Sequence, residues 1–255
     1  MTTSASYPSF AGRTIIVTGG ASGIGASIVE HLAAQRARVG ILDIDARAGA
    51  DLCARIAEKG DEKPHFEATD LTDIDALKKS IAAVRAAFGP VTVLVNNAAN
   101  DDRHELADVT PDYWDQRMAV NLKHQFFAAQ AVYGDMRDAG GGAIINMGSV
   151  SWRLGQGGMV CYTTAKAAVE GLTRSLAREF GRFNIRVNTV LPGWVMTERQ
   201  IELWLTDESE RELMQNQCLQ RTLAPADLAR FVTFLASDQA SAATAQSFIV
   251  DAGWV

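Results

Sequence analysis

Short, almost unbroken apolar runs alternate along the chain with longer stretches in which apolar positions recur every three or four residues. The runs are Thr14–Thr18, Val39–Leu42, His65–Thr69, Val91–Val95, Ala143–Met147, Ile185–Val190 and Ser247–Val250. Their β-branched content and lack of strict polar alternation predict strands covered on both faces. Between them, Ala26–Gln35, Ala46–Glu58, Ile74–Phe88, Pro111–Ala139, Tyr162–Phe180 and Pro225–Ala236 carry the spacing of amphipathic helices. Regular alternation of the two predicts an α/β, doubly wound fold: one seven-stranded parallel sheet with helices on both faces. Right-handed connections then bring the loops that follow the strands to one sheet edge, where such sheets bind ligands. Nothing Pro- or Ser-rich interrupts the pattern, so residues 1–255 are expected to form a single domain. The least regular stretch, residues 192–217, is a candidate for a segment that covers a substrate.

Composition narrows the functional classes. With 47% hydrophobic and 21% charged residues, and no apolar run near the roughly 18 residues of a membrane span, the chain has no expected membrane partner. Met1–Phe10 show no cationic stretch followed by an apolar core, which makes the cytoplasm the expected address. A net charge of −6 and the lack of a basic run argue against nucleic acid as the main partner and leave a small molecule. Cys53, Cys161 and Cys218 are scattered and, with His31, His65, His104 and His124, form no metal-ligand spacing.

The chemistry gathers at the expected loop edge. Thr14–Thr18 breaks directly into Gly19-Gly20-Ala21-Ser22-Gly23-Ile24-Gly25 before a helix, a turn that lets backbone N–H groups approach a pyrophosphate. Asp43 closes the next strand, where its carboxylate either accepts from a ribose hydroxyl or caps the following helix. Ser149 stands just past the run ending at Met147, as a substrate-oxygen partner or as the start of a turn. Tyr162 and Lys166 lie four residues apart and so share a helix face. An ammonium ~4 Å from a phenolate is worth roughly 4 kcal/mol at an effective dielectric of about 20, about three pKa units. On that scale Lys166 would bring the phenol toward working pH as a base.

Taken in order, the glycine turn, Asp43, Asn96-Asn97-Ala98-Ala99, Asn121, Ser149, Tyr162, Lys166 and Pro192-Gly193 resemble the short-chain dehydrogenase/reductase family over nearly the whole chain. The resemblance implies a Rossmann fold, NAD as cofactor and a homotetramer. It implies Tyr162 as the base, Ser149 as the group that orients the substrate hydroxyl, and Lys166 as the cation that tunes Tyr162 and holds the nicotinamide ribose. Asn121 would position a water linking Lys166 to solvent. Cofactor contacts would come from Gly19, Ser22, Gly23, Ile24, Gly25, Asp43, Ile44, Asp70, Leu71, Asn97, Ala98, Ala99, Pro192, Gly193, Val195 and Thr197, with Tyr162 and Lys166. Ala99 departs from the family's usual glycine and would narrow the space above the cofactor without removing a reactive group.

A finer resemblance, in Asn100-Asp101-Asp102-Arg103-His104, Ser151-Trp152, Arg199-Gln200 and Asp251-Ala252-Gly253-Trp254, points to the branch of the family that oxidises aldoses at the anomeric carbon to lactones. D-Xylose is the first choice, with L-arabinose, D-galactose and L-fucose beside it. Trp152 and Trp194 offer flat apolar faces for sugar C–H groups, and Asn100, Ser151 and Gln200 offer hydrogen bonds to hydroxyls. Asp101, Asp102 and Arg103 read equally as a loop ion-pair cluster of small energetic value. Cys161, beside Tyr162, is expected to pack rather than react. Two other functions stand against this one: a reductase of 3-oxoacyl or related ketones, which would share the same Asn, Ser, Tyr and Lys, and a non-catalytic dinucleotide sensor or scaffold on the same fold.

Overall fold

A computed structural model describes residues 5–255. The seven apolar runs become β1 (Thr14–Thr18), β2 (Arg38–Asp43), β3 (His65–Ala68), β4 (Val91–Asn96), β5 (Gly142–Met147), β6 (Ile185–Pro192) and β7 (Ser247–Val250). All pair in parallel, in the order β3-β2-β1-β4-β5-β6-β7. The order reverses between β1 and β4, and a crevice opens there at the strand C-termini because successive connections leave to opposite faces.

Neighbouring strand residues point to opposite faces, so each run feeds two cores. Ile15, Val17, Val39, Ile41, Val93, Val95 and Ile145 pack under α1 (Gly23–Ala33), α2 (Ala46–Glu58) and, later in the chain, the helix Pro225–Ala236. Ile16, Leu42, Leu94, Ile144 and Val187 pack under α3 (Ile74–Phe88) and the helices His124–Asp138 and Val160–Phe180. This matches the expected fold, with element ends moved by one to three residues.

Two departures lie near the edge that matters. The expected helix Pro111–Ala139 is three pieces: α4 (Pro111–Met118), a wide π turn over Ala119–Lys123, and α5 (His124–Asp138). The stretch read as irregular, 192–217, instead holds α7 (Glu198–Trp204) and α8 (Asp207–Asn216), which follow α6 (Val160–Phe180) and precede α9 (Pro225–Ala236). Thr197 caps α7 through Gln200 N, and Thr206 with Ser209 forms a reciprocal cap on α8. No helix of the described residues is long and apolar enough to cross a membrane.

A buried polar chain fixes α6 against the sheet. Asn96 Nδ2 donates to Asn146 Oδ1 (2.9 Å), Asn146 Nδ2 donates to Thr173 Oγ1 (2.9 Å), and Thr189 Oγ1 donates to the same hydroxyl (2.7 Å). Leaving any of these groups unpaired would cost about 1–3 kcal/mol, so the chain sets the height of α6 over β4, β5 and β6. Tyr162 and Lys166 sit on the first two turns of that helix.

Candidate active site

Crowding shows why the β1–α1 turn is built from glycine. Gly19 and Gly23 adopt φ of 61° and 54°. A Cβ on Gly25 would lie 1.9 Å from the Gly19 carbonyl oxygen and 2.6 Å from Asn97 Nδ2. Asn97 holds the turn from the β4 side, donating to the carbonyls of Thr18 (3.2 Å) and Gly19 (2.8 Å). The Ser22 side chain makes no capping bond, so the first amides of α1 face outward for an anionic ligand. Asp43 ends β2 with Oδ2 accepting from Ala21 N (2.9 Å), which aims the carboxylate at the turn. The helix-cap alternative falls to its neighbour: Asp45 caps α2 through Ala48 N. These residues fit a dinucleotide, with a close-approach cradle and an acidic group beside it.

A cleft of about 630 Å³ opens next to this turn. Ile24, Asn97, Ala99, Pro192, Gly193, Val195 and Thr197 line one end; Ser149, Ser151, Tyr162, Lys166, Trp194 and Gln200 continue the wall. The other expected cofactor contacts, Gly19, Ser22, Gly23, Gly25, Asp43, Ile44, Asp70, Leu71 and Ala98, lie outside this wall, around the ends of β1 to β4. Asp70 accepts from Thr72 N (2.9 Å), and Leu71 is buried in the core.

Lys166 is 1% exposed. Its Nζ donates to the Met147 carbonyl (2.8 Å) at the end of β5 and lies 5.5 Å from the centre of the Tyr162 ring. Burial pushes its pKa down to about 8, against the pull of the Asp101 carboxylate. Tyr162 corrects the sequence expectation. In the chain alone its phenol is raised rather than lowered, first by burial and then by the charge of Asp101, with only the Ser149 hydroxyl acting downward. Ser149 starts a short 3-10 turn, its Oγ accepting from Ser151 N (3.1 Å), and its hydroxyl proton is not used in that bond.

Asn121 occupies the π turn, fully buried. Its side chain is spent on structure, accepting from Asn100 N (2.9 Å) and donating to the carbonyls of Asn100 (3.0 Å) and Arg117 (3.0 Å). None of these bonds reaches Lys166, and the side-chain oxygen keeps a second lone pair. Asn100 is off the cleft wall, its Oδ1 engaged by Asp102 N (2.8 Å). Trp152 is also off the wall, its ring under the Arg153 guanidinium at 5.1 Å. The Gln200 amide is occupied as a bridge, with Oε1 accepting from Trp194 Nε1 (2.8 Å) and Nε2 donating to Asp101 Oδ2 (2.7 Å). Cys161 is buried with its thiol raised by that burial, as packing requires.

Sequence reasoning missed several wall residues. Asp101 and Arg103 come from the β4 loop, Trp204 from α7, Leu213 and Asn216 from α8, and Trp254 from the C-terminal tail. Asp251 fixes that tail by accepting from Gly253 N (2.8 Å) and Val255 N (2.9 Å). An acidic residue three before the terminal Trp was the available signal.

A family model described as Enoyl-(Acyl carrier protein) reductase matches residues 19–255. The chain belongs to the short-chain dehydrogenase/reductase family. It is therefore an oxidoreductase of a fold that binds a nicotinamide dinucleotide. It is 49% identical over 251 residues to D-xylose 1-dehydrogenase of Caulobacter vibrioides, covering 98% of this chain and 99% of that one. It is 46% identical to a protein of Rhizobium meliloti described as a probable galactose dehydrogenase, covering 98% of each. Among solved structures, a 7α-hydroxysteroid dehydrogenase complexed with NADH and 7-oxo glycochenodeoxycholic acid superposes with a TM-score of 0.92 at 29% identity, over 97% of this chain and 96% of that one.

One titration follows from the surroundings of Lys166. His124, at the start of α5, is fully buried. Burial, then the Lys166 charge, lowers its pKa to about 3, while the carbonyls of Ala119 and Val120 pull the other way. Below pH ~6.5 the unfolded chain takes up a proton that the native ring refuses until about pH 3, so stability falls as pH falls through that window. Relative to His124→Leu, the wild type should lose about 2 kcal/mol between pH 7.5 and pH 5, read from urea midpoints. A difference between the two proteins that stays constant with pH would contradict the neutral buried ring.

Proposed function

We propose that this protein is an NAD-dependent sugar dehydrogenase that oxidises an aldose at its anomeric carbon to the aldonolactone, with D-xylose first and L-arabinose, D-galactose and L-fucose as alternatives. The observation that carries this reading is the convergence of Tyr162, Ser149 and Lys166 on one cleft beside the glycine turn. Two relatives matched over nearly full length and named for aldoses support the substrate class. A ketone reductase for acyl chains fits less well, because Asp101 and Glu212 put carboxylates on the wall such a chain would follow.

A nicotinamide dinucleotide, when bound, supplies the hydride acceptor and a positive ring. Tyr162 takes the proton of the C1 hydroxyl, and Ser149 donates to the same oxygen. Lys166, held by the Met147 carbonyl, supplies the fixed positive charge that favours the phenolate once substrate is in place. Asn121 acts as a positioning residue: it clamps Asn100 and so fixes the β4 loop above the cleft. The ring oxygen of the cyclic sugar donates electron density to C1 as the hydride departs, so the product is a lactone. Residues 1–255 act as one domain in this reading, in the cytoplasm, where the described cysteines stay unpaired.

Aldoses, but not 3-hydroxyacyl compounds, should reduce NAD, and NMR of fresh mixtures should show lactone before open aldonate. Tyr162→Phe should lower the rate by about 10²–10⁴ while NADH binding, followed by fluorescence, is retained. Oxidation at a carbon other than C1, or a variant keeping more than about a hundredth of the rate, would refute the reading.

The preference for NAD rests on Asp43 and on Ile44, which follows it with 74% of its surface exposed and brings no cation. A 2′-phosphate would set negative charge against the Asp43 carboxylate. Wild-type kcat/KM should favour NAD over NADP by at least about tenfold, and Asp43→Ala should shrink that ratio. Equal wild-type efficiencies would contradict the assignment.

We also infer a homotetramer. Thr164, Ala168 and Gly171 leave small, exposed positions along α6 that permit close approach of a second copy. Light scattering at micromolar concentration should give four times the chain mass, and a monomer mass would reject it.

A further inference from the structure

Three polar groups on the cleft wall neither give nor take the proton in the proposed step. Asp101 presents a carboxylate, 24% exposed, whose Oδ2 accepts from Gln200 Nε2 and whose Oδ1 lies 3.5 Å from Arg199 Nε. A carboxylate has about four lone-pair positions, so these neighbours leave capacity facing the cavity. Trp204 stands on the same wall with the Arg103 guanidinium over its ring at 4.2 Å, and its Nε1 is buried without a partner. Ser151 Oγ is buried on the wall and also without a partner. Buried polar atoms are paired in folded proteins, so an orphan carried by a residue that lines a cavity is a candidate partner for a ligand.

The three groups differ in kind. Asp101 only accepts, the indole N–H only donates, and the serine hydroxyl does both. Their complement is a set of hydroxyls on one ring, since each hydroxyl can donate to the carboxylate and accept from the indole. A steroid or a simple alcohol would leave most of these atoms unpaired. Asp101 also sets a fixed negative charge against phosphorylated sugars and sugar acids.

We propose that Asp101 and Trp204 are specificity-determining residues, with Asp101 accepting from and Trp204 Nε1 donating to ring hydroxyls of the aldose beyond C1. This rests on the aldose reading given above. The β4 loop is built to hold the pair: Asn121 fixes Asn100, Asn100 fixes Asp102, and Asp101, Asp102 and Arg103 engage Gln200, Arg199 and Trp204 of α7. The residues that read the sugar also join the loop to the helix that covers it.

The test compares D-xylose and D-galactose with their 2-, 3- and 4-deoxy analogues at saturating NAD, using wild type, Asp101→Asn and Trp204→Phe. Asp101→Asn keeps the shape and an acceptor for Gln200 but removes the charge, and Trp204→Phe keeps an aromatic ring under Arg103 but removes the N–H. Each variant should raise KM for the parent sugars by about 10–100-fold, with kcat within a few-fold for Trp204→Phe; Asp101→Asn also removes the charge that opposes Tyr162 ionisation, so for it the comparison across deoxy sugars decides. Each should also lose the wild type's discrimination against at least one deoxy analogue, because the deleted hydroxyl and the deleted group form the same contact. Equal losses on the parent and on every deoxy sugar would assign both residues to structure alone and overturn the proposal. Retained NADH fluorescence reports folding, and either variant suffices if the other fails to fold. A wild type that oxidises no aldose at all would remove the functional reading itself, and this inference with it.

Discussion

The site depends on one buried ammonium. Lys166 lies inside the protein with one hydrogen-bond partner among the described residues, the Met147 carbonyl, and a charge so placed is tolerated only where the surroundings hold it in position. Because Met147 ends β5 and Lys166 belongs to α6, the bond joins a central strand to the helix that carries Tyr162. The polar chain Asn96, Asn146, Thr173 and Thr189 fixes the same helix two turns further along. Between these two attachments α6 has little freedom to rotate, and the phenol inherits that rigidity.

The geometry also changes how the Tyr–Lys pair is understood. Four-residue spacing puts the two side chains on one face, and Coulomb's law then suggests a direct pair. Instead the ammonium turns down to the strand end, the phenol stays high, and Asp101 opposes its ionisation from across the cleft. In the chain alone burial and the Asp101 charge keep Tyr162 protonated.

Most of the fold can be read in the sequence because each strand is nearly continuous in apolar residues, and the glycine turn because a side chain at Gly25 has no room. What escaped reading has physical causes. Helix α7 buries none of its residues and α8 buries only Leu213, so neither shows the periodicity that marks a packed helix. Asn100 and Trp152 carry suitable chemistry, but one is engaged by its own loop and the other lies against Arg153, while Asp101 and Trp204 take the wall. Adjacent residues differ by a turn of the backbone, and composition does not say which faces a ligand. Asp43 and Asp45 are equally plausible helix caps in the sequence, and the backbone gives that role to Asp45.

The π turn at Ala119–Lys123 sets the phase between the two helices it joins. A wide turn amounts to one extra residue inside a continuous helix, and each residue advances a regular helix by roughly 100°. Deleting one residue between 119 and 123 would heal the hydrogen-bond ladder yet re-phase everything on one side of it. Either Val132 and Met136 of α5 would swing out of the core, or Asn121 would lose its hold on Asn100. The irregularity works as a vernier: it lets one helix obey the spacing of the core along α5 and the spacing of the cleft at Asn121, two periods that a straight helix cannot serve together.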